Sequence, residues 1–276
     1  MMAYFEPIRW ARPNNVNRYN SPLSFMSIPY KEFAPLSVEP WLLWLDGAHS
    51  PFFNMATDHV LLEHVAGLGK PILRIYQWDR PSVSFGRSQH YPVAIPEGYA
   101  VVRRPTGGGV VWHDGDLTYT IVLPVDHALA SLSMRESYQF IHEAILAQLE
   151  SGTFLQNNKD VDVDPRTMQC FRSPSRFDIM GPAGVKYAGA AQFRSNKGML
   201  NQGSVKLEAS AGDWGQMKTT ILNAFASAAN AEYVAWIPDA ALLAEIDLKS
   251  AEQYENFDWN HDGTLPKVKR TTGEQT

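Results

Sequence analysis

The stretch RRPTGGGVVWHDGDLTYTIVLP, Arg103 to Pro124, sets three consecutive glycines between an arginine pair and apolar runs that alternate like strands. Gly107, Gly108 and Gly109 therefore mark a place that needs positive φ, close approach of another group, or both. A plain hairpin turn would meet the first need. A Walker-type phosphate loop is disfavoured because the Gly-Lys-Ser/Thr ending is missing, and a dinucleotide fingerprint because a strand follows where a helix should. Arg103 and Arg104 before the glycines, with His113 and Asp114 after them, give the segment charged and polar ends suited to a site.

Outward from this stretch the elements come in runs. WLLWLDGA (Trp41 to Ala48) reads as a strand, and Ser50-Pro51 then opens a helix, the serine as cap and the proline in its first turn, with a stop near Gly67. PILRIYQW (Pro71 to Trp78) and SVSFG (Ser82 to Gly86) alternate as strands, as do YAVVRRP, GGVVW and LTYTIVLP. Strands that run together in this way favour an α+β fold with a mostly antiparallel sheet over a doubly wound one. Met134 to Gly152 predicts a helix, capped by Ser133 with Glu136, with Tyr138, Ile141, Ile145 and Leu149 on one face. VKYAGAAQFRS predicts strand-turn-strand, MLNQGSVKLE a further strand, and TTILNAFASAAN a helix. Residues 1–40 lack a sustained period and read as an extension, leaving 41–276 as one catalytic-size domain.

The chain has 276 residues, 45% of them hydrophobic, and a net charge of −5, a balance that argues against a protein built to grip a nucleic-acid backbone. No apolar run reaches a membrane span and the N-terminus lacks a secretory core, so a cytoplasmic location is expected. The single cysteine, Cys170, excludes an intrachain disulfide and a Cys-rich metal site. It is followed and preceded by Arg166, Arg172 and Arg176, and basic neighbours favour the reactive thiolate over an inert buried thiol. Lys186, in the turn GPAGVK, is a second candidate: such a lysine is a solvated charge unless it enters an apolar pocket, where it can act as a base. His113-Asp114 has the look of a metal pair, but no second ligand pair follows, and no metal is expected. His49, His59, His64 and His142 carry no partner motif.

RRPTGGGVVWHDGDLTYTIVLP, followed about sixty residues on by CFRSPSRFDI and GVKYAGAAQFRSNKGMLNQGSV, resembles the two signature blocks of the biotin/lipoate protein ligase and octanoyltransferase superfamily. NMATDHVLL, LRIYQWDRPSVSFGRSQ and QYENFDWN extend the likeness over about Trp41 to Asn260. The resemblance implies that superfamily's catalytic-domain fold, a mixed, mostly antiparallel sheet flanked by helices. It also implies Cys170 and Lys186 as catalytic residues. Substrate contacts are expected from Arg104, Thr106, Gly107, Gly108, Gly109, His113 and Asp114 of the first block, and from Gly189, Ala191, Gln192 and Gly203 of the second, with the glycine strand walling an acyl-chain tunnel.

Within the superfamily the motifs point two ways. Leu117-Thr118-Tyr119 and Cys170-Phe171 resemble the cysteine-dependent octanoyltransferases, whereas the triple glycine is closer to the lipoate ligases. The first reading is an octanoyl or lipoyl transferase without a cofactor. It would take its acyl group from octanoyl-acyl carrier protein or another acyl-carrying protein and give it to the lysine of a lipoyl domain or a glycine-cleavage H-type protein. The rival is a lipoate-protein ligase using ATP and Mg. A non-catalytic relic that binds lipoyl domains is a third.

Overall fold

The computed structural model describes residues 38–149, 152–157, 175–207 and 214–264. The chain opens with β1 (Glu39–His49), α1 (Pro51–Leu68), β2 (Ile72–Trp78), β3 (Ser82–Phe85), β4 (Ala100–Arg103), β5 (Val111–His113) and β6 (Leu117–Pro124). It continues through α2 (Ala128–Ser131), α3 (Met134–Leu146), β7 (Phe154–Leu155), β8 (Ile179–Met180), β9 (Lys186–Arg194) and β10 (Gly198–Val205). The last described elements are α4 (Trp214–Ala228), β11 (Ala231–Ala235), α5 (Ala240–Lys249), a π-helical turn (Ser250–Tyr254) and α6 (Phe257–Asp262).

The strands divide between two sheets. The larger has the order β11-β1-β2-β6-β10-β9-β8-β7, the smaller β4-β3-β5. In the larger, β1 runs parallel to β11 and to β2, and the remaining neighbours are antiparallel. The parallel β1–β2 pair is a β-α-β crossover through α1, which a reading of strand runs alone does not resolve.

Alternation assigns the faces of the large sheet. Leu117, Tyr119, Ile121 and Leu123 of β6 join Met199 and Val205 of β10 in a core beneath α3 and α4. Val122 and Leu200 point the other way, against Leu61, Leu62 and Val65 of α1. Each of those α1 side chains is at most 2% exposed, which is about 1.5–3 kcal/mol of burial apiece. Ser50 caps α1 by accepting from the Phe53 amide, and Pro51 lies in the first turn where it loses no hydrogen bond.

Helix α1 stops at Leu68, at the expected place near Gly67, and closes on Gly69, whose φ of 62° is the left-handed cap. Helix α3 has the expected capping box at Ser133 and Glu136 but ends at Leu146, short of Gly152. Leu149 still packs on the core from the turn that follows, so the apolar period outlives the helix. The predicted strand-turn-strand at Val185 to Ser195 is a single strand, β9, with no turn at Gly189.

Candidate active site

The glycine stretch does not make a hairpin. β5 pairs with β3 in the small sheet and β6 with β2 and β10 in the large one, so the turn His113-Asp114-Gly115-Asp116 hands the chain from one sheet to the other. The group that approaches the glycines is the chain itself. A Cβ on Gly86, at the end of β3, would collide with the Gly108 carbonyl, and Gly108 has a φ of 83°. Arg104 gathers the loop around its guanidinium, donating to the Gly107 carbonyl at 2.8 Å and to the Gly109 carbonyl at 2.6 Å. Arg103, also buried, donates to the carbonyls of Arg87, Gln89, Trp259, Asn260 and His261, and so ties the QYENFDWN segment to the loop after β3.

A cavity of about 490 Å³, including its open mouth, lies between the sheets. Its walls carry Ser84, Arg104, Val111 and His113 from the small-sheet side and Lys186, Gly189, Ala191, Gln202 and Gly203 from β9 and β10. Gly107, Gly108 and Gly109 do not take part in this lining: the carbonyls of Gly107 and Gly109 turn onto Arg104, and that of Gly108 lies against Gly86. The small residues that open the cavity belong to the second block instead.

Lys186 reaches this cavity from the start of β9. It is 7% exposed, and its Nζ lies 2.6 Å from Asp178 Oδ2. Asp178 is fully buried and takes two further hydrogen bonds, from the Tyr138 hydroxyl of α3 at 2.6 Å and from the Ser175 amide at 2.6 Å. Burial, with the Asp178 carboxylate beside it, pushes the Tyr138 phenol well above its usual range, so this hydroxyl stays a donor. Gly189 is the space into which the lysine folds: a Cβ there would strike Lys186 Cε and Nζ. Gly203 has a different reason, since a Cβ there would meet the ring of Tyr119 on the opposite core face.

On the small-sheet side His113 is buried at the end of β5. Its Nδ1 lies 2.7 Å from Asp116 Oδ2 and its Nε2 2.8 Å from Ser84 Oγ, and the Trp78 indole stacks on the ring at 3.9 Å. The partner of His113 is thus Asp116 and not the adjacent Asp114, which is exposed and offers its backbone carbonyl to Lys206. Burial raises the Asp116 carboxyl, but His113 and the Ser204 hydroxyl outweigh it and hold the group below the usual carboxylate range. Thr106 donates to Gln202 Oε1 at 2.7 Å, and Gln202 in turn donates to Asp58 on α1. Gln192 points to the other face of β9, where it accepts from Ser137 and donates to Asn201.

Cys170 lies outside the described residues, as do Arg166 and Arg172. The sequence reading missed Ser84, Asp116, Tyr138, Asp178 and Gln202. Ser84 and Gln202 occur in alternating strands where a polar residue is ordinary, and Asp178 stands eight positions from Lys186 without a recognisable spacing. Among the described residues no group of three or more His, Cys, Asp or Glu side chains is arranged to hold a metal, and no helix is long and apolar enough to cross a membrane.

A mixed sheet with a lysine-bearing cavity between β9, β10 and a small second sheet defines a class, and residues 50–232 match the family described as lipoyl protein ligase A/B catalytic domain. The chain belongs to that family. Among curated relatives it is 34% identical over 185 residues to the octanoyltransferase LipM of Kyrpidia tusciae, covering 62% of this chain and 67% of that protein. It is 36% identical over 183 residues to the octanoyltransferase LipM of Moorella thermoacetica, with the same two coverages of 62% and 67%. The chain thus spans about two thirds of the length of these relatives. Among solved structures, the bi-partite lipoate protein ligase of Thermoplasma acidophilum, studied with its E2 lipoyl domain, superposes with a TM-score of 0.64 at 18% identity, covering 83% of this chain and 99% of that one. At that identity the likeness is one of fold. The curated relatives are octanoyltransferases, and octanoyl transfer to protein is the activity they support for this enzyme.

Proposed function

We propose that the enzyme moves an octanoyl group from a protein-bound thioester to a lysine of a lipoyl-type acceptor protein through an acyl-enzyme on Cys170, with Lys186 handling the protons. The observation that carries this reading is the Lys186–Asp178 pair at the cavity wall, buried, braced by Tyr138 and given room by Gly189. A lysine so held keeps its Nζ at a fixed place beside the cavity, where it can pass a proton to a leaving thiolate and take one from an attacking amine. Asp178 also accepts from the Ser175 amide, so Ser175 is bonded to the same carboxylate as Lys186. Five positions separate Ser175 from Cys170, so the two backbones lie at most about 18 Å apart, and the proposal takes the thiol to turn toward the cavity within that span.

In the first half-reaction the Cys170 thiolate attacks the thioester carbonyl, the C–S bond to the carrier breaks, and the carrier thiolate leaves with a proton from the Lys186 ammonium. In the second, the acceptor lysine amine attacks the Cys170 thioester, passes one proton to the Lys186 amine and leaves as the amide when the C–S bond breaks, regenerating the Cys170 thiolate and the Lys186 ammonium. Splitting one transfer into two steps of similar chemistry removes the need for an activating nucleotide. Ala191 keeps bulk off the wall for a narrow apolar chain, while Arg104 and Lys186 bring basic groups to its carbonyl end. Octanoyl-acyl carrier protein is the proposed donor, and a lipoyl domain or H-type protein the proposed acceptor.

The test is mass spectrometry after mixing enzyme and octanoyl-acyl carrier protein, with and without ATP and Mg. One octanoyl group should appear on the Cys170 peptide of the wild type without nucleotide, and transfer to the acceptor protein should be lost in Cys170→Ala. A Cys170→Ala protein that still transfers at the wild-type rate, or an absolute need for ATP, would replace this mechanism with that of the ligases.

A further inference from the structure

The proposed transfer through Cys170 and Lys186 leaves one chemically complete group of the cavity unused. Ser84, His113 and Asp116 form a continuous hydrogen-bonded chain, 2.8 Å and 2.7 Å long at its two links, and both Ser84 and His113 line the cavity. Strand geometry sets the spacing: Ser84 pairs with Val111 across β3 and β5, so His113 is its diagonal neighbour. The proton directions follow from the donors around it. The Asp116 carboxylate only accepts, so the facing His113 Nδ1 carries the ring proton and Nε2 is left to accept from Ser84 Oγ, which itself accepts from Arg104 Nη1 at 3.0 Å. The Ser204 hydroxyl also donates to Asp116 and holds it as a carboxylate. Trp78 stacked on the imidazole fixes its plane. Nucleophile, base and orienting acid stand in the order and at the distances that define a serine acyl-transfer triad, whatever the fold around them.

We propose that Ser84 is a second acyl acceptor, and that through it the enzyme hydrolyses medium-chain acyl thioesters and activated esters independently of Cys170. Ser84 Oγ attacks the acyl carbonyl and passes its proton to His113 Nε2. The C–S or C–O bond to the leaving group breaks, and that group takes the proton from His113, leaving an octanoyl ester on Ser84. Water then attacks the ester, giving one proton to His113. Free octanoic acid departs, and Ser84 Oγ recovers the proton. No oxidant, reductant or nucleotide enters. The inference rests on the cavity accepting an acyl chain, as the proposed function does, but not on the cysteine.

The experiment uses the full chain carrying Cys170→Ala, with p-nitrophenyl octanoate as probe. Release of p-nitrophenolate should proceed about 100-fold faster than in the Cys170→Ala, Ser84→Ala double variant, the size of effect a positioned acid-base group supplies. An acid quench should trap one octanoyl group on the peptide containing Ser84. Equal rates in the two proteins, or acylation at another residue, overturn the proposal. Should the double variant fail to fold, Ser84→Cys on the Cys170→Ala background decides instead: a trapped thioester at position 84 supports the site, and its absence removes it. Wild-type acylation by octanoyl-acyl carrier protein, run in parallel, keeps the two readings apart. A label on Cys170 with none on Ser84 in the variant sinks only the serine site, and the reverse sinks only the cysteine mechanism.

Discussion

Arg74 with Asp58 and Lys186 with Asp178 are both ion pairs sunk below the surface, yet they are built to different ends. Arg74 is enclosed: its guanidinium meets Asp58, Asp46 and Asn54, and lies 3.9 Å from the centre of the Tyr76 ring. The other oxygen of Asp58 takes the hydroxyls of Tyr76 and Thr120 and the amide of Gln202. This network clamps α1 to β2, β6 and β10, and Arg74 does not line the cavity. Lys186 instead stands in the cavity wall, and its carboxylate partner is braced from behind by α3. A buried charge surrounded by acceptors holds a fold together, whereas one braced from behind and turned toward a cavity is placed for chemistry.

Two substitutions would break this contrast most sharply. Lys186→Met should lower octanoyl transfer by roughly 10²–10⁴-fold, the range for a lost acid-base or charge-stabilising group. Its stability loss should be only about 1–3 kcal/mol, because Asp178 keeps the Tyr138 and Ser175 donors. Asp58→Ala should do the reverse in kind, costing about 3–5 kcal/mol in a urea melt by leaving part of Arg74 and three donors without their carboxylate. Equal stability losses in the two variants would erase the distinction between an enclosed pair and a cavity pair.

The sequence made one member of each partnership visible and hid the other. Lys186 stands in a glycine-flanked turn that any reader stops at, but Asp178 becomes its partner only because β8 and β9 pair and fold the intervening turn back. Asp114 adjoins His113 in the chain, and adjacency favoured it. Gly115, at a φ of 80°, swings the chain so that Asp116 is the carboxylate that returns to the ring. VKYAGAAQFRS suggested strand-turn-strand, yet β9 runs unbroken through Gly189. The glycine is needed because Lys186, three residues earlier in the same strand, folds back across it, a contact that no sequence spacing announces. The antiparallel-rich sheet and the capped α3 were legible because alternation and capping chemistry are local. The parallel crossover through α1 and the division into two sheets depend on pairings far apart in sequence.

The core beneath α3 should also reveal itself through pH. His142 is fully buried against Phe177, whose carbonyl accepts from Nδ1 at 2.7 Å, and burial lowers its pKa from 6.5 to about 4. The folded state therefore binds its proton less readily than the unfolded chain. The associated stability is present above about pH 6.5 and is lost as pH falls toward 4, a change of about 3 kcal/mol. His59, lowered to about 4 by burial beside Tyr254, acts in the same direction. His142→Asn, which keeps a donor for the Phe177 carbonyl, should flatten the urea midpoint between pH 6.5 and 4 by roughly half the wild-type slope. An unchanged slope would mean that His142 is already charged in the fold.

The finest test of the cavity pair is Gly189→Ala. Position 189 lies in a regular strand, so alanine adopts its backbone without strain, and the atoms a Cβ would strike are the far end of the Lys186 side chain, with Asp178 Oδ1 at 3.1 Å. A flexible chain end moves cheaply, so the urea midpoint should stay within about 0.5 kcal/mol of wild type. The displaced Nζ is another matter, because a shift of about 1 Å in a positioned group costs up to roughly 100-fold in rate. Octanoyl transfer should therefore fall by about 10- to 100-fold with the fold intact, while release of p-nitrophenolate through Ser84, on the far wall, changes by less than about threefold. Were both activities to fall together, Lys186 and the Ser84 chain would be one machine; were neither to fall, the lysine's exact seat beside Gly189 would have no part in the transfer.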